Sequence, residues 1–411
     1  MSAFPSSSLP IAAAYGLFFA SYLVFAVGKF PGMKIDRPGM AVIGGVLMVA
    51  VRVVGPQDAI GAVDFATIVL LFSMMLLVGG LHLAGFFELV SEFLVERIRV
   101  SHLLPAVIFT SGLLSAFFVN DIVCLVLAPF LVNVTRRMRL RPTPYLLALA
   151  TSSNIGSVAT ITGNPQNMLI GSASGIGYRD FLAHLGPVAV AGLLLDWAIL
   201  RWLCAADLHA APGATTSLVP HGPRPEMRKP LLIMLAVVAA FLAGAPPALA
   251  ASVGAALLLI TRKRDPRLLY DEVDWGLLVF FVGLFVIVRG AENAGLVREM
   301  LGAFRFLNLQ RPASFSLVVV ALSNLVSNVP AVMLLRTLIP QFHHPHTGWL
   351  MLAMASTLAG TLTVTGSVAN IIVVERARPE VEIRFRDYLR VGVPVTLATV
   401  ALGTAWLAWL G

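Results

Sequence analysis

The sequence predicts an all-α polytopic membrane protein made of two inverted repeats, each carrying a re-entrant hairpin and an interrupted transmembrane helix. Three observations predict it. Apolar residues make up 58% of the 411-residue chain and charged residues 12%, with a mean hydropathy of +0.87. Soluble domains carry roughly 25% charged residues, and runs this apolar belong in a bilayer. The chain also matches its own second half. Finally, its basic residues collect in alternate loops, which fixes an orientation.

Taken in order, residues 1–63 supply N-terminal helices. The opening MSAFPSSSLP has no basic n-region and no cleavage site, so 11–28 reads as a retained helix. Repeat 1 spans 64–204. Asp64-Phe65 opens an apolar run ending Gly80-Leu-His-Leu-Ala-Gly85, followed by a hairpin at 103–135 and a broken helix at 144–171. Residues 205–273 form a linker and connecting helices. Repeat 2 spans 274–411, with a hairpin at 313–340 and a broken helix at 348–374. Its Asp274-Trp275 stands 210 residues after Asp64-Phe65, and its Leu322-Ser323 and Asn328 stand 208 after Leu114-Ser115 and Asn120. Thr363 to Asn370 follows Thr160 to Asn167 by 203, and Arg386-Asp387-Tyr388-Leu389 follows Arg179-Asp180-Phe181-Leu182 by 207. Four collinear matches with drifting offsets describe a tandem duplication.

With the N-terminus outside and both hairpins returning to their side of entry, 22 of 29 basic residues lie inside. Asp64 then starts its helix from outside and Asp274 from inside, so the repeats are inverted. Two full spans at 103–135 would keep the same parity. The net charge of +8 therefore records insertion and favours anionic lipid, with no call for a nucleic-acid partner. Cys124 and Cys204 lie in apolar segments, which excludes a disulfide framework and a Cys-rich metal site. Inverted repeats with interrupted helices characterise secondary transporters, whose substrate sites lie where the copies meet.

Polar residues mark that place. Segment 151–171 carries Ser152, Ser153, Asn154, Thr160, Thr162, Asn164 and Asn167, and is interrupted by Gly163 and Pro165. Proline removes a backbone donor, glycine admits unusual dihedrals, and broken backbone at membrane depth belongs in a cavity or inside protein. A kinked helix that hydrogen-bonds its neighbours is the plainer reading. The second copy, with Thr365, Gly366 and Asn370, favours a ligand cavity. The hairpin tips add Asn120-Asp121 and Asn324, Asn328 and Pro330, with Val329 where repeat 1 has Asp121. Asp121 suits a proton carrier or cation ligand. Asp196, matched by Gly403, reads as either structural or proton-coupling, with Arg201 snorkelling alongside. Arg289 and Glu292 suit a local ion pair. His343, His344 and His346 suit a solvated outer loop more than a metal site. No P-loop, nucleophile elbow or HExxH occurs, so ATP-driven transport, intramembrane proteolysis and enzymatic activity in general find no support.

These motifs, TSSNIGSVATITGNPQN with Asn120-Asp121 and the partners SNLVSNVPAVML and TLTVTGSVAN, resemble the ion transporter superfamily. The nearest likeness is to ArsB/NhaD-type permeases, which share a citrate-transporter-like domain. The resemblance covers 64–411. It implies a scaffold and transport unit of about ten or eleven helices plus two hairpins, usually homodimeric. Ligand sites are implied at Asn120, Asp121, Ser153, Asn154, Gly163 to Asn167, Asn324, Asn328, Pro330 and Thr365 to Asn370. The dicarboxylate branch has Ser-Asn-Thr hairpin tips, whereas Ser115-Ala116-Phe117 and Ser323-Asn324-Leu325 stand here. Gly163-Asn164-Pro165-Gln166-Asn167 likewise departs from Gly-Thr-Pro-Pro-Asn. The expectation is a proton-coupled, alternating-access carrier of a small inorganic anion or metalloid oxyanion such as arsenite. It would sit as a multi-pass protein of the cell's inner membrane, with H⁺ or Na⁺ as coupling ion and no other cofactor. A sodium/proton antiporter is the alternative, and an anion channel a further one.

Overall fold

Two aspartates start matching helices. Asp64 Oδ1 accepts the Thr67 backbone N–H at 3.1 Å, and Asp274 Oδ1 accepts that of Leu277 at 2.9 Å. Each thereby satisfies a donor that a helix start leaves open. The two aspartates that signalled the duplication are thus equivalent N-caps, and each opens a helix of 19 residues.

The computed structural model describes residues 8–29, 32–97, 100–208, 227–260, 265–296, 299, 302, 307–378 and 380–410. Residues 209–226 of the expected linker, including Arg224, and the basic residues Arg262, Lys263 and Arg264 lie outside the described residues. Three helices come first: α1 (Ser8–Val27), α2 (Arg37–Ala50) and α3 (Pro56–Ala62). The first half follows as α4 (Phe65–Leu83), α5 (Phe86–Arg97), α6 (Leu103–Phe117), α7 (Asn120–Arg137), α8 (Pro142–Ser157), α9 (Pro165–Ser174) and α10 (Tyr178–Leu203). Connecting helices are α11 (Arg228–Leu242), α12 (Pro247–Leu259) and α13 (Pro266–Asp271). The second half contains α14 (Trp275–Asn293), α15 (Pro312–Val326), α16 (Asn328–Leu335), α17 (Pro345–Ala359), α18 (Val368–Ala377) and α19 (Phe385–Leu410). No strand occurs among the described residues.

The sequence α4, α6, α7, α8, α9, α10 recurs as α14, α15, α16, α17, α18, α19. Both α6 and α15 have 15 residues, both α9 and α18 have 10, and both α10 and α19 have 26 with a proline inside. One limb breaks the correspondence: α7 has 18 residues and α16 only eight. Eight residues rise about 12 Å, far short of a hydrocarbon core of about 30 Å. The second limb of the second hairpin is too short to cross by itself.

Among the described residues, five segments are long and apolar enough to cross a membrane: 65–83, 100–117, 178–203, 275–293 and 385–410. Exposed Leu232, Leu235, Leu249, Val253 and Leu257 on α11 and α12 give an outward apolar face suited to lipid. The interior belongs to the broken helices. Every residue of α8 from Pro144 to Ser157 is buried, as are Leu350 to Ala359 of α17. Helix α6 lies so close to α8 that a Cβ on Gly156 would stand 2.0 Å from the Gly112 carbonyl oxygen. Only glycine fits there.

Ion pairs occur both within a helix and between the halves. Arg289 and Glu292 meet at 3.4 Å as expected from their spacing. His346 differs from expectation: it opens α17 and its Nε2 lies 2.6 Å from Asp180 Oδ2 on α10, while His343 and His344 remain in the exposed loop. The three-residue spacing concealed this because its partner lies 166 residues away in the chain.

Candidate functional site

The two broken helices share the way their freed carbonyls are met, while the side-chain cap belongs to the first. Helix α8 ends at Ser157 and α9 begins at Pro165, whose fixed φ and missing N–H suit a first helical position. Asn164 Oδ1 caps the restart by accepting the Asn167 N–H at 2.9 Å. Gly163 passes so close to the end of α8 that an added Cβ would lie 2.3 Å from the Ser157 oxygen. The carbonyls released by the break do not stay open. Asn167 Nδ2 donates to those of Ser157 and Thr160 at 3.0 and 3.1 Å. In the second half, Asn370 Nδ2 donates to those of Gly360 and Thr363 at 2.7 and 2.9 Å. The two breaks also touch: Asn154 Nδ2 donates to Asn370 Oδ1 at 2.8 Å, and Thr357 Oγ1 to Asn167 Oδ1 at 3.1 Å.

Each hairpin tip leans on a break. The Asn120 N–H donates to the Gly163 oxygen at 3.1 Å, and Asn120 Nδ2 to Asn154 Oδ1 at 3.2 Å. Asn324 Nδ2 donates to the Ala359 oxygen at 2.9 Å, while its Oδ1 accepts from Thr363 Oγ1 at 3.2 Å. Four buried oxygens at these tips have no hydrogen-bond partner: Ser115 Oγ, Asn120 Oδ1, Ser323 Oγ and Asn328 Oδ1. They fall into equivalent pairs, 208 residues apart. Leaving such a group unmet costs about 1–3 kcal/mol.

A cavity of 170 Å³ lies between the two tips and the starts of α9 and α18. Asn120, Asp121 and Gln166 line it from the first half, and Ser327, Asn328 and Ser367 from the second. Arg37 and Asp274 complete the wall. Asn120 and Asn328 are 3% and 7% exposed, so their open oxygens are shielded from bulk water. The Asp121 carboxylate faces the first turn of α18 at Ala369. A carboxylate at a helix start is favoured by the helix dipole, and here it joins the two halves. Arg37 Nε is held by the Phe25 oxygen at 2.9 Å. Ser327, at the second tip, has φ 78° and ψ 157°.

Of the residues singled out in the sequence, Asn120, Asp121, Pro165, Asn328 and Gly366 line this cavity. Asn154, Gly163, Asn164, Asn167, Asn324 and Asn370 stand behind it and hold the breaks. Ser153 accepts from Cys124 Sγ at 3.1 Å, and Thr162 meets Tyr178 Oη at 2.9 Å. Thr365 is exposed, and the Pro330 carbonyl accepts from Tyr22 Oη at 3.2 Å. Asp196 lies elsewhere, fully buried on α10, with Oδ2 accepting from Thr151 Oγ1 at 2.9 Å and Oδ1 unpartnered. Arg201 is exposed, outside that burial. Gln166 and Ser367, which fall within the two implied stretches, line the cavity as well, whereas Arg37, Asp274 and Ser327 were not singled out as site residues. Gln166 stood inside the break motif and Asp274 stood out only as a repeat marker, while Arg37 carries no local signal. Among the described residues no group of His, Cys, Asp and Glu could hold a metal ion.

Comparison with known proteins agrees with this architecture. The silicon efflux transporter LSI3 of Oryza sativa subsp. japonica is 30% identical, over 97% of this chain and 98% of its own. A Dictyostelium discoideum protein, provisionally named transporter arsB, is 25% identical over 92% of this chain and 88% of its own. The crystal structure of the Alcanivorax borkumensis YdaH transporter shares the fold, with a TM-score of 0.55 at 14% identity over 98% of this chain and 97% of that one. A family model described as citrate transporter matches residues 22–359. With hairpin tips and helix breaks meeting at a cavity inside an apolar helical body, the chain belongs to the citrate transporter family of membrane transporters.

Proposed function

We propose that this chain carries a small, uncharged metalloid oxyacid of the arsenite or silicic acid kind across the cell's cytoplasmic membrane, by proton-coupled alternating access between inverted repeats. The observation that carries the reading is the imbalance of hydrogen-bonding groups in the cavity. Asn120 and Asn328 bring open acceptor oxygens, and Asp121 and Asp274 bring carboxylates, against one cation, Arg37. A polycarboxylate such as citrate brings acceptors and negative charge, so it leaves the amide oxygens unmet and is repelled by the carboxylates. A fully protonated oxyacid brings an O–H donor on each oxygen and no charge. A cavity of 170 Å³ suits a solute of that size better than a drug-sized one. Two similar proteins carry the names silicon efflux transporter and arsB, which point the same way. Arg37 and Asp274 belong to the side bearing the excess of basic loops, so this conformation faces the cytoplasm.

Asp121 is the proposed proton carrier. It alone of the tip residues is ionisable, and it has no acidic counterpart in the second half, where Val329 stands. The test is expression in a host lacking its own metalloid exporters and loaded with arsenite or with germanic acid, a tracer for silicic acid. Lowered cell content is expected, with Asp121→Asn returning it to the level of empty cells. Content unchanged by the parent protein for both solutes overturns the substrate reading. A second reading, sodium/proton antiport, is favoured by the oxygen-only character of the open tip groups on Ser115, Asn120, Ser323 and Asn328. It requires that Na⁺ addition to everted vesicles dissipate a pH gradient, an effect absent with Asp121→Asn.

A further inference from the structure

One increment of 203 residues relates Asn154 to Thr357, Ser157 to Gly360, Thr160 to Thr363 and Asn167 to Asn370. Three pairs of hydrogen bonds at the two breaks obey it. Each asparagine uses its Nδ2 on the two carbonyls ten and seven residues before it. Each receives at Oδ1 a bond from the other half, Asn370 from Asn154 and Asn167 from Thr357. Asn167 and Asn370 thus have both donors and the acceptor engaged within the protein, which separates them from Asn120 and Asn328 with their open oxygens. The crossed bonds are also where cavity residues connect. Asn120 Nδ2 donates to Asn154 Oδ1 at 3.2 Å, and Gln166 Nε2 to Thr357 Oγ1 at 3.5 Å.

We infer that Asn167 and Asn370 are paired positioning residues, which fasten the two breaks into one unit through the crossed Asn154–Asn370 and Thr357–Asn167 bonds. A break held by a side chain keeps its freed carbonyls satisfied only while that side chain stays in place. Because the far end of each fastening is gripped by the opposite half, loosening one break loosens the other. A solute contacting Asn120 or Gln166 therefore acts on both breaks together. This inference does not depend on which solute is carried.

The test reads one break while altering the other, in full-length protein purified into lipid nanodiscs without substrate. Native Cys124 and Cys204 are buried and give a low background. A cysteine at Gln166 reports the first break and one at Ser367 the second, by the rate of reaction with a small maleimide. Asn370→Ala is expected to speed labelling at the Gln166→Cys position by about threefold or more, and Asn167→Ala to do the same at Ser367→Cys, as expected of coupled sites. Thr357→Val, which keeps the shape and loses the hydroxyl, should speed labelling at Ser367→Cys, while Thr357→Ser keeps the parental rate. Rates in Asn370→Ala and Asn167→Ala that match the parent overturn the inference. So does a reversed order for Thr357, with serine altering the rate and valine not, because that outcome assigns the residue to packing.

Discussion

Asp64 and Asp274 perform the same local task, yet only one of them lies on the cavity. Each caps a helix, so replacing either with alanine should cost about 1 kcal/mol of stability. Transport, measured in the same cells, should fall with Asp274→Ala and stay near parental with Asp64→Ala. At the second tip, Asn328→Leu removes an acceptor that a bound solute is proposed to meet. The apparent KM should rise about tenfold, the loss of one such hydrogen bond, without loss of folded protein. Asn120 and Asp121 were legible because polar groups in an apolar run are conspicuous. Arg37, Asp274 and Ser327 were not, because a cavity wall is assembled from helices distant in sequence, and no local pattern says which side chains will face it. The asparagines divide in the same way. Asn167 and Asn370 read as ligand positions in the sequence, and only the hydrogen bonds reveal that their amides are already engaged.

At the level of helices, the closest approach is the one between α6 and α8 at Gly112 and Gly156. Gly156→Val should sharply lower the yield of monodisperse protein and its melting temperature in detergent, since overpacking a tight contact costs about 1–3 kcal/mol or more and here the obstacle is backbone. Most elements could be read from the chain. Gly163 and Pro165 announce the first break, and the repeated Thr-x-Thr-Gly locates the second even though Val368 replaces the proline. The shortness of α16 could not be read. Nothing between 331 and 338 breaks a helix locally. The limb nonetheless turns at Arg336, whose guanidinium lies over the Phe285 ring of α14 at 5.7 Å. The two hairpins are thus unequal in their second limbs.

For the molecule as a whole, composition and self-similarity foretold the helical body and its doubled order of elements. The proposed orientation makes its own prediction. In intact cells a membrane-impermeant maleimide should label a cysteine at His343 and leave cysteines at Arg137 and Arg228 unlabelled until the membrane is opened. Labelling in the opposite sense overturns the proposed orientation, and labelling of His343 and Arg137 from the same side overturns the inverted arrangement. One residue also bears on the energy of the entire fold. Ser327 holds φ 78° and ψ 157°, a region that only glycine occupies freely, at a typical cost of about 1–3 kcal/mol. Such a conformation persists because the surrounding helices allow no other. Ser327→Gly should therefore raise the melting temperature of the purified protein. If the strained tip helps drive the carrier out of this conformation, the same change should slow turnover. The protein would then forgo thermal stability at its binding tip in return for speed, and a thermostabilised variant made there would be a slower transporter.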